Sequence, residues 1–278
     1  MDHGVVTFLT DYGIDAPTLA RAVEERGFDA LFLTEHTHIP TSRRTPWPGG
    51  GELPERYRHT FDPYVALGAM AAVTERVALG TAVSLVAQHD PITLAKAVAS
   101  IDRLSGGRFE FGVGPGWNTD EMENNGVDPR TRTARMREHV LAMRRIWAQD
   151  EAEFHGRFVD FDPIWSWPKP VRMPPVLIGG GGPTVLDRVL EYGDGWIPLR
   201  VPLSAMAEFA GRIAELRRRA ADAGRGHLPV TIYAAVPKPA ALDSYAEAGV
   251  DRVLYELPDA HGADPTLATL DDLAALRG

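Results

Sequence analysis

Short apolar runs alternate with helix-patterned stretches along the whole chain. Eight runs, at residues 5–9, 30–34, 77–84, 109–113, 176–179, 195–198, 230–236 and 252–256, are brief and largely apolar. That is the pattern of parallel strands covered on both faces. Between and after them lie eight helical stretches, at 17–26, 63–73, 92–104, 133–149, 185–192, 205–223, 240–248 and 265–276. Start and stop signals support them: Pro17 opens the first and Gly27 follows it, while Asp62 before Pro63 and Asp90 before Pro91 supply N-cap carboxylates. Eight strand–helix units predict an α/β fold closed as a (β/α)₈ TIM barrel, with a doubly wound open sheet as the other arrangement the alternation permits.

Two connections are too long to be turns. Residues 36–60 follow the second run and 114–132 the fourth, so both leave the C-terminal ends of strands, where barrel sites are built. A third irregular stretch, 150–175, holds Trp165, Trp167 and several prolines and is expected to cover the barrel or a bound cofactor. No Pro/Gly linker divides two composition regimes, so one domain is expected over 1–278.

Composition narrows the function. With 44% hydrophobic and 24% charged residues the chain is ordinary globular protein. A net charge of −9 argues against a nucleic-acid partner, which needs a basic field to displace counterions. The absence of cysteine excludes disulfides and thiolate chemistry. The first ten residues lack a signal-peptide pattern and no apolar run reaches membrane-spanning length, so a cytoplasmic protein without a membrane partner is expected.

Candidate chemistry sits just past the strands. The second ends Leu33-Thr34-Glu35-His36-Thr37-His38, which places His36 to exchange a proton with a ligand or to brace loop backbone, and His38 more readily to brace. The two histidines also invite a metal, but the fifth to seventh strands end in Gly179, Pro198 and Val236, which offer no further ligands; no metal is expected. The run Gly179-Gly180-Gly181-Gly182-Pro183-Thr184 opens a helix, and its bare amides and the Thr184 hydroxyl suit an anion such as phosphate better than a plain turn requires. Arg200 follows the sixth strand and is a lesser candidate for the same anion. After the fourth strand, Gly114 lets the loop turn over the mouth and Trp117 offers an apolar wall, while Asp120, Glu121 and Glu123 read as a polar helix start. Small residues at Gly80 and Ala82 leave room for a planar group or simply pack the barrel.

These signals occur in one order. Arg103-Leu104-Ser105-Gly106-Gly107-Arg108-Phe109, Gly112-Val113-Gly114-Pro115-Gly116-Trp117, Phe154-His155-Gly156-Arg157-Phe158, Pro168-Lys169-Pro170, Pro174-Pro175-Val176-Leu177-Ile178-Gly179-Gly180 and Asp194-Gly195-Trp196 together resemble the bacterial luciferase-like oxidoreductases, most of all their coenzyme F420-dependent (deazaflavin) group. The resemblance implies the TIM barrel with an insertion before the fifth strand. It also implies a ring seated on a third-strand bulge with a non-proline cis peptide at Ala82–Val83, and the cofactor phosphate at 179–184. It matches Glu35–His36 to an acid–His pair that contacts substrate or ring, with His36 as proton carrier and Glu35 orienting it. Some deazaflavin dehydrogenases carry a catalytic Glu where this chain has Trp117; that argues against sugar-phosphate oxidation and for a less polar substrate or another proton donor.

The implied activity is hydride transfer between F420 and a small organic substrate. The alternatives are an FMN-dependent monooxygenase on the same scaffold, a non-catalytic flavin or deazaflavin carrier, and a metal hydrolase. Loop 36–60 is expected to shape the substrate pocket through Trp47, Arg56 and Tyr57, and the small apolar residues of 67–73 suggest a homodimer contact.

Overall fold

The structure, a computed structural model, describes residues 1–276; Arg277 and Gly278 lie outside the described residues. In chain order the first half comprises β1 (Asp2–Thr7), α1 (Ala16–Glu25), β2 (Ala30–Leu33), α2 (Pro63–Ala71), β3 (Ala78–Thr81), α3 (Pro91–Leu104), β4 (Phe109–Val113), α4 (Thr119–Asn124) and α5 (Arg132–Ala148). The second comprises β5 (Glu151–His155), β6 (Asp160–Trp165), β7 (Val176–Gly179), α6 (Val185–Tyr192), β8 (Gly195–Ile197), α7 (Met206–Asp222), β9 (Thr231–Ile232), α8 (Pro239–Glu247), β10 (Arg252–Glu256) and α9 (Asp264–Ala275).

The main sheet runs β8-β7-β4-β3-β2-β1-β10-β9, and its pairings are parallel. Its two ends meet through a parallel bridge between Trp196 and Val230, reinforced by the Trp196 amide donating to the Pro229 carbonyl at 2.9 Å. The barrel, rather than the open sheet, is therefore what forms. Closure is thin because the strand expected at 230–236 shrinks to Thr231–Ile232. Beyond it Ala234 adopts φ +52, and the Tyr233 amide turns to the Pro198 carbonyl.

Helix starts follow the capping signals. The carboxylates of Asp15, Asp62 and Asp90 accept from backbone amides of the first turns of α1, α2 and α3, each with a proline just inside the start. Leu67, Met70 and Ala71 of α2, in the stretch expected to meet a second copy, are buried within the protein, while Val65 is exposed.

Stretch 150–175 meets the first of its two expectations, covering the barrel, and not the second. It forms an antiparallel β5–β6 hairpin with a bulge between Ala152 and Phe154. Its turn is held on α5, where Glu138 accepts from the amides of Phe158 at 2.6 Å and Val159 at 3.2 Å. The segment after it is held on α3, where Asp102 accepts from Val171 at 2.6 Å. These anchors lie on the outer helices, so the hairpin clasps the barrel's flank and does not roof its mouth.

Inside the barrel, Val6, Phe32, Leu177, Ile197 and Leu254 pack together. Toward the N-terminal ends of the strands, Arg252 grips Glu110 with two hydrogen bonds of 2.8 and 3.1 Å and its guanidinium lies 5.8 Å from the Phe32 ring centroid. That end is filled, which leaves the C-terminal end as the open mouth.

β3 and β4 approach so closely that a Cβ at Gly112 would sit 1.9 Å from the Thr81 carbonyl oxygen. Both are backbone positions and cannot yield cheaply. Gly112→Ala should cost about 3 kcal/mol or more. Gly68→Ala on α2, with nothing within 4 Å, should stabilise by about 0.5–1 kcal/mol. Urea unfolding of the two variants checks the contrast, and an unaffected Gly112→Ala protein would contradict the close approach.

Candidate active site

A chamber of about 730 Å³ opens at the C-terminal ends of the strands. One wall is aromatic. His36, just past β2, lies 5.8 Å from Trp117 and 5.2 Å from Tyr57, centroid to centroid. Trp47 stands edge-on to Tyr57 at 6.1 Å and donates its indole N–H to the Tyr57 hydroxyl at 3.0 Å. The loop 36–60 thus delivers Trp47, Arg56 and Tyr57 to the chamber, as its length and position suggested.

The carboxylate partner of His36 is not its neighbour in sequence. His36 Nδ1 lies 2.8 Å from Glu121 Oε2, and Glu121 Oε1 accepts from the Thr37 amide at 3.2 Å. Glu121 sits in the first turn of α4, fully buried, with Asn118 as N-cap. Asp120 and Glu121 do form the polar start of a helix, and they also hold the loop. Asp120 accepts from Ser42 Oγ at 2.9 Å and the Arg44 amide at 3.0 Å, and Glu123 accepts from Arg44 Nη2 at 2.8 Å. All three acids bind the long loop.

Glu35 does not orient His36. Consecutive side chains on extended backbone diverge, and Glu35 instead accepts from the Leu85 amide and lies 2.7 Å from His89 Nε2. Burial pushes the His89 pKa down, but the hydrogen bond and charge of Glu35 outweigh it and leave His89 above its ordinary 6.5. His38 stands apart, with Thr37 Oγ1 at 2.9 Å and Asn124 at 3.1 Å. Among the described residues no group of three or more His, Asp or Glu gathers as a metal site would require.

The floor is made of small residues. The Ala82–Val83 peptide is cis, at the position the resemblance implied. Val83 is wedged between two glycines: a Cβ on Gly114 would meet its Cγ2 at 2.4 Å, and one on Gly179 its Cγ1 at 2.7 Å. The valine forms a flat ledge only because both neighbours lack side chains.

Gly179 and Gly180 line the chamber. Gly181 borders a smaller cavity of about 190 Å³, and Gly182 and Thr184 lie exposed beyond it. Three carbonyls of this loop are engaged by side chains. Trp196 Nε1 donates to Gly180 O at 2.7 Å, and Arg212 of α7 donates to Gly181 O at 2.8 Å and Gly182 O at 3.1 Å. Across a trans peptide the next N–H points the opposite way, so the amides of Gly181 and Gly182 face away from these donors, toward any anion at the start of α6. Sequence reading missed Arg212, because an arginine within an amphipathic helix looks like any solvated charge. Arg200, the lesser candidate for the phosphate, borders the same small cavity as Gly181 and pairs with Glu256 at 3.2 Å. Two other cations touch the glycine loop: Arg212 at its carbonyls, and Arg188, whose Nη1 donates to Thr184 Oγ1 at 2.9 Å.

Comparison with known proteins fits this geometry. The luciferase-like monooxygenase family matches over residues 13–262. An uncharacterized protein of Mycobacterium tuberculosis is 44% identical, covering 99% of this chain and 98% of its own. The F420-dependent glucose-6-phosphate dehydrogenase of Nakamurella multipartita is 31% identical over 64% of this chain and 50% of its own. A monooxygenase of Streptomyces bottropensis has the same fold, with a TM-score of 0.81 at 19% identity over 99% of this chain and 98% of its own.

Folding gives protonated His89 a partner it lacks in the unfolded chain. The pair therefore stabilises the fold fully below about pH 6.5, and the contribution is lost as pH rises through the raised folded value. His89→Gln should lower the thermal midpoint more at about pH 5.5 than at about pH 9. Equal losses at both would show that the pair carries no net charge interaction.

Proposed function

The chain belongs to the luciferase-like monooxygenase family, and on that premise we propose that it is a coenzyme F420-dependent oxidoreductase, moving a hydride between the deazaflavin and a small organic substrate. The observation that carries this reading is the His36–Glu121 pair, buried beside an aromatic chamber with a small-residue floor. Similarity to an F420-dependent dehydrogenase supports the cofactor, and the fit of the site supports it further. The Val83 ledge between Gly114 and Gly179 suits a flat ring, and the free amides of Gly181 and Gly182 with Thr184 suit its phosphate. Bound there, the deazaflavin supplies two-electron hydride chemistry at C5.

The protein carries the proton. Glu121, as a carboxylate, accepts from His36 Nδ1–H, which sets the tautomer and leaves Nε2 as the basic nitrogen. In substrate oxidation Nε2 takes the hydroxyl proton as the hydride leaves carbon, and Glu121 stabilises the resulting imidazolium; reduction reverses both transfers. Trp47, Tyr57 and Trp117 exclude water from that exchange. Glu35 is a positioning residue in this reading, because it holds the turn after β3 through the Leu85 amide and His89. A cytoplasmic location and a homodimer remain part of the proposal, read by cell fractionation and light scattering.

Titration with F420 and with FMN in parallel, followed by cofactor fluorescence, tests the cofactor. Preferential F420 binding is expected; preference for FMN would move the reading to an FMN-dependent monooxygenase, and binding of neither would overturn both. His36→Ala should keep cofactor affinity while turnover falls about 10²–10⁴-fold. Glu121→Gln should slow turnover and shift its pH profile. Retained cofactor with near-normal turnover in His36→Ala would remove the histidine from the mechanism, and retained cofactor without turnover on any donor would leave a carrier.

A further inference from the structure

One group of charges facing the chamber does not balance within itself. Its ionisable lining residues include Glu35, His36, Arg56, Arg200 and Glu256. Glu35 is matched by His89 and the Leu85 amide, and His36 by Glu121. The remaining three form an isolated group in which Arg56 Nη2 lies 3.0 Å from Glu256 Oε1 and Arg200 Nη2 lies 3.2 Å from Glu256 Oε2. Two guanidiniums share one carboxylate, so this group carries one net positive charge.

Arg56 is held in place for this. Its guanidinium lies 4.6 Å from the Phe8 ring centroid, its side chain is only 18% exposed, and its buried Nε has no hydrogen-bond partner among the described residues. A guanidinium in such surroundings that shares its one carboxylate keeps part of its desolvation cost uncompensated, and a ligand anion supplies a second counter-charge. Arg200 is 63% exposed on its side chain and free to swing onto the same ligand.

We propose that the substrate is a small organic anion, with an apolar body against Trp47, Tyr57 and Trp117 and a carboxylate received by Arg56 and Arg200. The inference rests on the proposed function in taking the chamber as the substrate site. It reconciles the apolar wall that Trp117 presents with the charge beside it, where the Arg56 guanidinium lies 5.9 Å from the Tyr57 ring centroid: the substrate is apolar along its length and charged at one end.

Calorimetric titration of the F420-loaded protein with benzoate and hexanoate, and with the uncharged benzamide and hexanamide, tests this. At least one carboxylate should bind about tenfold or more tightly than its amide. Arg56→Gln should abolish that preference. Glu256→Gln removes the competing carboxylate and should tighten carboxylate binding about threefold or more, a gain that a damaged fold cannot produce. Equal binding of acids and amides, or no tightening in Glu256→Gln, overturns the proposal. So does an Arg56→Gln effect confined to cofactor affinity, which would assign the guanidiniums to the cofactor's phosphate. The same titrations on cofactor-free protein read the anion site even if F420 fails to bind, which keeps failure of this inference distinct from failure of the proposed function.

Discussion

A carboxylate removed from water must find donors, and at the barrel mouth that requirement organises everything above the strands. α4 begins with two buried acids, Asp120 and Glu121. Their donors come from the loop after β2: His36 and Thr37 for one, Ser42, Arg44 and Thr45 for the other. The loop is drawn down onto α4, and Thr60 fastens its far end by donating to the His36 carbonyl at 3.1 Å. What lies between, Trp47 and Arg56-Tyr57, is thereby brought to the chamber.

In the proposed function the chemistry inherits its geometry from this clamp. The carboxylate that holds the loop also holds His36, so removing it would disturb structure and the proposed proton transfer together. Glu35 plays the matching part on the other side, bracing the turn that leads from the Val83 ledge to α3. The two His–carboxylate pairs therefore divide the work: His36, held by Glu121, faces the chamber, and Glu35 lines it while holding His89 behind.

The glycine loop shows the same economy at the opposite rim. Its carbonyls are occupied by Trp196 and Arg212, and that occupation is what orients its amides. Arg212 also lies 4.9 Å from the Trp196 ring centroid, so one side chain links α7, β8 and the loop. A guanidinium bound to carbonyls on a surface loop also brings positive charge to the place where a phosphate is expected.

Much of this was legible in the chain. Period and capping signals specified the strand–helix alternation, because apolar periodicity and the Asp–Pro helix starts are local properties. The motifs in order identified the family, and the excess of glycine at 179–182 pointed to the loop that the proposed function assigns to an anion. Partnership was another matter. His36 bonds Glu121 and not Glu35, although the first lies 85 residues away and the second is adjacent; Arg200 bonds Glu256 and Arg212 takes the glycine loop. Stretch 150–175 clasps the flank because Glu138 and Asp102 offer acceptors there. Sequence determines which groups must be satisfied once buried; only the closed barrel, by setting which strand ends become neighbours, decides which of them satisfy one another.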